Sequence, residues 1–304
     1  MRVLVTGADG FVGKHLLPIL VAEGFDVVGI VRKPMPAVSL PSSGAGTLRM
    51  EVCDLTHGLK LIEPDDIIVH TATTHPADHS PTGDAFHTYI NIVTTCRLID
   101  DALSKGVRRF IFLSSILTFG EVETPVVDEN TPIRNPGIYG ISKYFSEKAL
   151  EEVAEKLPSI SLRIPGIIGL GAHRVWLPRC VEKMLNDEPV TIFNPTAPFN
   201  NAIHIEDLSK FIVTLVNHSL NGHEVVTLGA KGMTSISGAM ETLVSSLDSR
   251  SEIIEAESEQ TTFTISIEKA RKYFGYAPMD IEKMLKYYAR ETLDAISQET
   301  SEMA

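Results

Sequence analysis

Tyr139 and Lys143 stand four residues apart in a stretch that is compatible with a helix. Side chains at that spacing lie on one face of a helix, one turn apart. An ammonium beside a phenol favours the phenolate and is expected to lower the pKa of Tyr139 from its usual value of about 10. The pair is therefore a candidate for giving and taking a proton near neutral pH. Because both residues are common, this interpretation depends on the elements around them.

Ser115 lies 24 positions before Tyr139 and follows Ser114 and the run 108–113, which is apolar from Phe110 onwards. The run predicts a buried strand. A serine at the carboxyl end of a central strand, opposite a helix with Tyr139 and Lys143, could hydrogen-bond a substrate oxygen. In the alternative interpretation, Ser114 and Ser115 form only a turn at the strand end. Ser115, Tyr139 and Lys143 are the candidate catalytic residues.

The amino terminus has the pattern of a strand, a glycine turn and a helix. The run Arg2–Val5 is apolar after its first residue, and an amphipathic stretch reaches to about Glu23. Of the glycines between them, the first permits a tight turn, the second lets the backbone approach a pyrophosphate, and the third allows close helix packing. Helix amides would then face the phosphates, although an ordinary glycine-rich turn is the alternative. The predicted cofactor-binding residues are Gly7, Gly10, Phe11, Val12 and Gly13.

The second predicted strand, Asp26–Val31, indicates which cofactor is bound. An NAD-binding fold usually ends this strand with an acidic residue that binds the ribose 2′-hydroxyl. Here Val31 takes that position, and Arg32 and Lys33 follow. The missing carboxylate and the two cations favour a 2′-phosphate, hence NADP over NAD. The alternative is that both cations are solvated charges at a strand end.

Strand-forming runs at 48–52 and 66–70, the second of them apolar through Ile67–Val69, continue the alternation of strands and helices. Continuously apolar strands are typical of a buried parallel sheet. Asp54 could accept a hydrogen bond from the adenine amino group, cap a short helix, or do both. Small residues after the second run would let a cofactor lie close. The predicted cofactor-binding residues are Asp54, Leu55, Thr71, Ala72 and Thr73.

The composition narrows the class of protein. The net charge of −12 over 304 residues argues against a nucleic-acid partner or an acidic membrane surface. Neither a secretory signal nor a membrane-length apolar run is evident. Three widely spaced cysteines suggest reduced thiols in the cytoplasm. His75 and His79 lack the remaining ligands of a metal motif, so no metal is expected and their loop is predicted to contact substrate.

Together these motifs resemble the extended short-chain dehydrogenase/reductase family, in its branch of sugar-nucleotide epimerases, dehydratases and reductases. The resemblance covers essentially the whole chain. The matching residues are Thr6-Gly7-x-x-Gly10-x-x-Gly13, Asp54-Leu55, Asn91, Ser114-Ser115 with Gly120, Tyr139-x-x-x-Lys143, and the segments 162–169, 203–208 and 267–278.

The resemblance implies a role for each group. Tyr139 would be the general acid/base, Lys143 would bind the nicotinamide ribose and tune Tyr139, and Ser115 would hold the sugar oxygen. Asn91 would support the lysine through water. Helices at 83–105 and 137–155 would form the bundle of a homodimer. The remaining cofactor contacts that it implies are Ser114, Pro165, Ile167 and Ile168.

The expected fold is α/β, a Rossmann-type doubly wound parallel sheet with a smaller carboxyl-terminal substrate-binding lobe. Residues 1–165 would form the dinucleotide-binding domain, rejoined by about 200–220, and residues 166–304 would be mainly the substrate lobe. Arg174 and Arg179 could hold a diphosphate, or they could be solvated charges.

Two departures from the family pattern bear on the reaction. Dehydratases usually carry an Asp-Glu pair just after the serine, whereas this chain has no carboxylate between Ser115 and Glu121. Since elimination of water needs an acid and a base beyond the tyrosine, dehydration is discounted. Asn200 and Asn201 stand where the family often has Arg-Asp. The predicted substrate contacts are His75, Ser115, Arg174, Arg179 and Asn200.

The leading hypothesis is an NADP- or NAD-linked 4-ketoreductase or 4-epimerase of a nucleotide sugar, in which Tyr139 moves the hydroxyl proton. One alternative is reduction of a carbonyl compound that carries no nucleotide, which predicts an apolar pocket. Another is a redox sensor that binds NADP without catalysis. The intact Ser115, Tyr139 and Lys143 count against the sensor.

Overall fold

The structure is a computed structural model that describes residues 1–36, 45–74, 81–173, 175–259 and 261–302. The strands in chain order are β1 (Arg2–Thr6), β2 (Asp26–Val31), β3 (Thr47–Val52), β4 (Ile67–His70), β5 (Arg109–Ser115), β6 (Val126–Val127), β7 (Ser159–Ile164), β8 (Gly166–Ile168), β9 (Val190–Phe193), β10 (Pro198–Phe199), β11 (Ala202–His204), β12 (His223–Thr227), β13 (Thr234–Ser235), β14 (Ile253–Ala256) and β15 (Thr264–Ile265). The α-helices are α1 (Phe11–Ala22), α2 (Pro81–Lys105), α3 (Ile138–Glu152), α4 (Trp176–Leu185), α5 (Ile205–Asn217), α6 (Ile236–Leu247), α7 (Glu268–Phe274) and α8 (Ile281–Glu302). Single-turn 3-10 helices follow β3 and β5, at Leu55–His57 and Ile116–Thr118.

A seven-stranded sheet has the order β12-β7-β5-β4-β1-β2-β3. β1 pairs in parallel with β2 and β4, β2 with β3, and β4 with β5. In this register Val3 of β1 aligns with Val27 of β2 and with Ile67 of β4. Because the chain winds outwards from β1 in both directions, the predicted doubly wound α/β fold is confirmed.

The central strands of the sheet are apolar because helices cover them. Every residue of β4, β5 and β7 is buried. A core cluster joins Leu4, Ile68 and Phe110 of the strands to Leu98 of α2 and Leu150 of α3. Since the paired strands run parallel, the carboxyl ends of β1, β2, β4 and β5 share one edge of the sheet, where ligands of such folds bind.

Local sequence signals predict the bounds of β1 to β5 and of α2 and α3 to within a few residues. β2 has its predicted bounds, whereas the helix expected at 137–155 ends at Glu152. β12 is missing from the sequence prediction. Its residues are only partly buried at three of five positions, so the segment lacks the continuous apolar run that marks β1, β2 and β4.

The described residues fall into two compact units. The first comprises Met1–Glu121, Pro132–Arg163 and Ser209–Val226, and the second comprises Val122–Thr131, Ile164–Leu208 and Thr227–Ala304. The second unit has its own apolar core, and its short strands pair as β8 with β11 and β9 with β14. Its role in binding substrate stays a prediction. Within the described ranges, no helix combines the length and apolarity needed to cross a membrane.

Candidate active site

Tyr139 and Lys143 lie one turn apart on α3, which begins directly after Gly137. The first turn of α3 packs against the short helix that follows β5. Gly140 permits this approach, because a Cβ atom there would lie 2.1 Å from the carbonyl oxygen of Leu117. The glycine next to Tyr139 therefore sets how closely α3 approaches the carboxyl end of β5.

Lys143 is buried and points at the end of β5. Its Nζ donates a hydrogen bond to the carbonyl oxygen of Leu113 at 2.8 Å and lies 4.8 Å from the ring centre of Phe112. Burial lowers the pKa of Lys143 to about 8, and the nearby carboxylate of Glu147 opposes that shift. The position of the Lys143 ammonium is thus fixed by the end of β5, and the group can lose its proton slightly above neutral pH.

Tyr139 is half-buried, and its phenol is the desolvated part. Burial raises the pKa of Tyr139 to about 12, and a hydrogen bond with the Thr73 side chain opposes the rise. The Lys143 Nζ lies 5.7 Å from the centre of the tyrosine ring. The expectation that Lys143 lowers the pKa of Tyr139 is therefore wrong, because desolvation of the phenolate dominates and Lys143 is not among the groups that shift this pKa.

Ser115 is the last residue of β5 and is buried. Its Oγ accepts a hydrogen bond from the Leu117 amide at 3.2 Å, so it caps the short helix that follows. The neighbouring Ser114 Oγ donates to the Glu147 carboxylate. Both serines thus take part in the strand-end structure. Contact of Ser115 with a substrate oxygen stays a prediction.

The glycine turn after β1 leaves no room for side chains. Gly7 has φ +69°, and a Cβ atom there would lie 2.7 Å from the Cα of Ala72 at the end of β4. A Cβ atom on Gly13 would lie 2.4 Å from the carbonyl oxygen of Gly7. Helix α1 starts right after Gly10, so the amides of Phe11 and Val12 lie at its amino terminus. This backbone cradle suits the pyrophosphate of a dinucleotide.

Arg32 and Lys33 are exposed just beyond the buried Val31 that ends β2. Asp54 follows the neighbouring strand β3 and caps the next short helix, which confirms that predicted role: its carboxylate accepts from the Thr56 amide at 2.9 Å. Hydrogen bonds from Thr56 lower the pKa of Asp54, with a smaller contribution from Arg32. Arg32 and Asp54 are therefore near enough to interact at this corner of the sheet.

Asn91 of α2 holds the segment after β4. Its side-chain oxygen accepts from the Thr74 amide at 2.8 Å, and its side-chain nitrogen donates to the Thr74 carbonyl at 3.1 Å. On the other side of this segment, the Thr71 hydroxyl donates to the Thr6 carbonyl at 2.7 Å. Residues 71–74 are thus fixed between β1 and α2. The water-mediated support of Lys143 by Asn91 stays a prediction.

His70 is a residue that sequence reasoning passed over. It ends β4, where its Nδ1 lies 2.7 Å from the Thr6 hydroxyl and its Nε2 lies 3.0 Å from the Thr95 hydroxyl. The ring stacks on Phe112, with centres 5.7 Å apart. Burial, and to a smaller extent Lys143, lowers the pKa of His70 to about 3. A histidine at the end of an otherwise apolar strand was the available signal.

The predicted contacts in the second unit have varied surroundings. Pro165 and Ile168 are buried around β8, with Ile167 half-buried between them. Arg179 is exposed on α4. Asn200 is buried, and its amide group is paired with the Ile265 backbone through two hydrogen bonds of 2.8 Å each. The predicted substrate contacts His75 and Arg174 lie outside the described residues.

The motif at 203–208 anchors the last helix in the second unit. The His204 Nε2 lies 3.0 Å from the Glu291 carboxylate, and the Tyr287 hydroxyl donates to Glu206 at 2.6 Å. The Asp207 carboxylate accepts from the Met279 amide at 2.8 Å. These contacts explain the motif as a support for α8.

The sheet order, the glycine cradle and the tyrosine–lysine pair at the same edge define an NAD(P)-dependent enzyme of the short-chain dehydrogenase/reductase type. The sequence profile described as the NAD dependent epimerase/dehydratase family matches residues 3–229. The chain belongs to this family.

Two of the relatives are similar along nearly their whole length. A UDP-glucose 4-epimerase of Corynebacterium glutamicum is 24% identical, with 91% of each chain covered. A dTDP-4-dehydro-6-deoxyglucose reductase of Escherichia coli is 25% identical, covering 93% of this chain and 96% of that protein. Among solved structures, MoeE5 in complex with UDP-glucuronic acid and NAD superposes with a TM-score of 0.81, at 23% identity over 97% of this chain and 100% of that chain.

Proposed function

We propose that the protein transfers a hydride at a sugar carbon of a nucleotide sugar, most simply at C4, with Tyr139 as general acid/base. The observation that carries this proposal is the Tyr139–Lys143 pair on α3, packed against the carboxyl end of β5. The glycine turn after β1 lies at the same edge of the sheet. Relatives that are similar along nearly their whole length include an epimerase and a reductase of nucleotide sugars.

The proposed roles follow from the surroundings of each side chain. When bound, the nicotinamide cofactor supplies the hydride chemistry. With its pKa raised to about 12, Tyr139 is protonated at neutral pH and is suited to donate a proton to a carbonyl oxygen. The Lys143 ammonium would bind the ribose and favour the phenolate left behind. Ser115 would hold the reacting oxygen.

This assignment favours net reduction of a 4-keto sugar over epimerisation. A proton-bearing tyrosine serves the reductive direction, and Arg32 with Lys33 suits NADP, whose usual role is reduction. Dehydration is disfavoured, because the short helix Ile116–Thr118 carries no acid or base. The test is mass spectrometry of the nucleotide that co-purifies: retained NAD(H) would indicate an epimerase, and empty protein that binds NADPH would indicate a reductase.

The substrate class has a separate test. Thermal unfolding is measured with UDP-, GDP-, CDP- and TDP-sugars in the presence of NADPH. We expect one of them to raise the Tm, because a ligand that binds only the folded state stabilises it by mass action. If none does, a carbonyl compound without a nucleotide becomes the better substrate.

We propose that the protein forms a homodimer through α2 and α3. Phe86 and Tyr89 on α2 and Ile141 and Phe145 on α3 are exposed to between 47% and 62%. The two helices pack side by side, and each pair follows helical spacing, so the side chains form an apolar face. A second copy would remove that face from water.

The three free thiols also suit a cytoplasmic enzyme.

A further inference from the structure

Glu147 is a buried carboxylate that the proposed chemistry does not use. It lies on α3 one turn after Lys143 and is 2% exposed. Its carboxylate accepts the Ser114 hydroxyl and forms an ion pair with Arg163 of β7, whose Nη2 lies 2.8 Å and whose Nε lies 3.2 Å from its oxygens. Two charges have therefore been taken out of water directly beneath the candidate active site.

Stability alone is a poor reason for such a pair. Removing two charges from water is costly, and replacing a buried ion pair by apolar residues is often neutral or stabilising. A buried pair that joins particular elements in a fixed geometry points instead to a positioning role. The contacts of Glu147 show which elements these are.

Glu147 joins the helix that carries Lys143 to the strand end that receives it. Ser114 follows Leu113, whose carbonyl oxygen accepts the Lys143 hydrogen bond, and precedes the candidate catalytic Ser115. The guanidinium of Arg163 in turn lies 4.9 Å from the ring centre of Phe119, beyond the short helix that Ser115 caps. One carboxylate thus fixes both sides of the lysine contact.

Among the groups around Lys143, Glu147 is the one that opposes loss of the lysine proton. Tyr139 of α3 and Phe112 of β5 present rings to the ammonium. His70 of β4 is nearby but neutral, and Ser114 carries no charge. Arg163 is occupied by Glu147 and is not among the groups that shift the lysine. The carboxylate of Glu147 is the nearby anion that favours the charged lysine.

We propose that Glu147 is a positioning residue for Lys143: held by Arg163 and Ser114, its carboxylate keeps the ammonium charged and directed at the end of β5. The proposal rests on the role of Lys143 in the proposed function. It assigns the Ser114–Glu147–Arg163 cluster to the reaction, although none of its members needs to touch the substrate.

The test is a direct titration of Lys143 by NMR of protein labelled at the lysine ε-carbons, with the signal assigned by Lys143→Arg. In Glu147→Gln the Lys143 signal should titrate about one pH unit lower than in the wild type, because the buried opposite charge that favours the ammonium is removed. Glu151→Gln is the matched control, since Glu151 is an exposed carboxylate one turn further along α3. That control should leave the Lys143 titration unchanged.

Two further variants separate the effect of the Glu147 charge from the effect of an unpaired Arg163. Glu147→Gln leaves Arg163 unpaired, so Glu147→Gln combined with Arg163→Gln removes both buried charges and should lower the Lys143 titration similarly. Glu147→Asp retains the negative charge, so Lys143 should titrate close to its wild-type pH in this variant. If Lys143 titrates as in the wild type in a folded Glu147→Gln or double variant, the proposal is overturned.

Turnover gives a second readout. The alkaline limb of the kcat profile should move to lower pH in Glu147→Gln by about the same one pH unit, with KM changing less. On that limb kcat should be about tenfold lower than in the wild type, because the charged fraction of the lysine falls about tenfold for each unit lost from its pKa. An unmoved limb in the folded variant would contradict the proposal. If the wild-type protein reduces no 4-keto nucleotide sugar, the proposed function is rejected. The NMR titration would still test whether Glu147 keeps Lys143 charged, because it does not depend on turnover.

Discussion

The ammonium of Lys143 donates a hydrogen bond to the carbonyl oxygen of Leu113 at 2.8 Å. This contact ties α3, which also carries Tyr139, to the central strand β5 just before Ser114 and Ser115. Because the lysine is buried, the geometry of the candidate site is set by the core of the sheet and not by a surface loop.

Replacing Tyr139 by Phe should remove turnover and leave cofactor binding intact. The phenol provides the proton, whereas the ring that packs the site is retained, so kcat should fall by about 10²–10⁴-fold. Turnover of a 4-keto nucleotide sugar and fluorescence titration with NADPH measure the two properties. Tyr144→Phe on the same helix is the control. Full activity of Tyr139→Phe would contradict the role of Tyr139 as general acid/base.

Replacing Arg32 by Ala should weaken NADPH far more than NADH. A hydrogen bond to a charged group contributes about 1.5–3 kcal/mol, so the Kd for NADPH should rise roughly 10- to 100-fold. The Kd for NADH should change little, since it lacks the 2′-phosphate. Arg49→Ala on β3 removes an exposed arginine that pairs with Glu51 and serves as control. Equal losses for both cofactors would reject the 2′-phosphate contact.

His70 should make the protein less stable in acid. Its folded pKa of about 3 lies below the usual value of 6.5, so the unfolded chain binds the proton more tightly. Stability from this group is present above pH 6.5 and is lost as the pH falls towards 3, by up to about 1.4 kcal/mol per unit.

Urea unfolding between pH 7 and 4 measures that slope. His70→Gln should flatten it, whereas His173→Gln, at an exposed position, should leave it unchanged. Identical slopes in the two variants would show that another group drives acid unfolding.

Phe145→Glu should convert the proposed dimer into a monomer, because it places a charge in the apolar face of α2 and α3. Light scattering coupled to size-exclusion chromatography gives the mass at micromolar concentration. Phe193→Glu, at a residue exposed to a similar degree on β9, should not change it. A monomeric wild type, or a dimeric Phe145→Glu, would contradict the proposed interface.

Local patterns were sufficient to predict the frame of the site. The glycine spacing, the apolar strands and the Tyr139–Lys143 spacing each involve residues close together in the chain, and φ preference and side-chain periodicity act over that range. β12 was not predicted, because its partly buried residues lack a continuous apolar run. Its position follows from its place beside β7 at the edge of the sheet, which local sequence does not show.

The sequence by itself determined the doubly wound α/β fold, the family and the candidate groups that would bind and react. Only the tertiary structure decided their electrostatic state. It buried Tyr139 enough to reverse the expected pKa shift, placed His70 between Thr6 and Thr95, and paired Glu147 with Arg163 beneath Lys143. Desolvation and charge pairing depend on which distant segments meet, and spacing along the chain does not encode that.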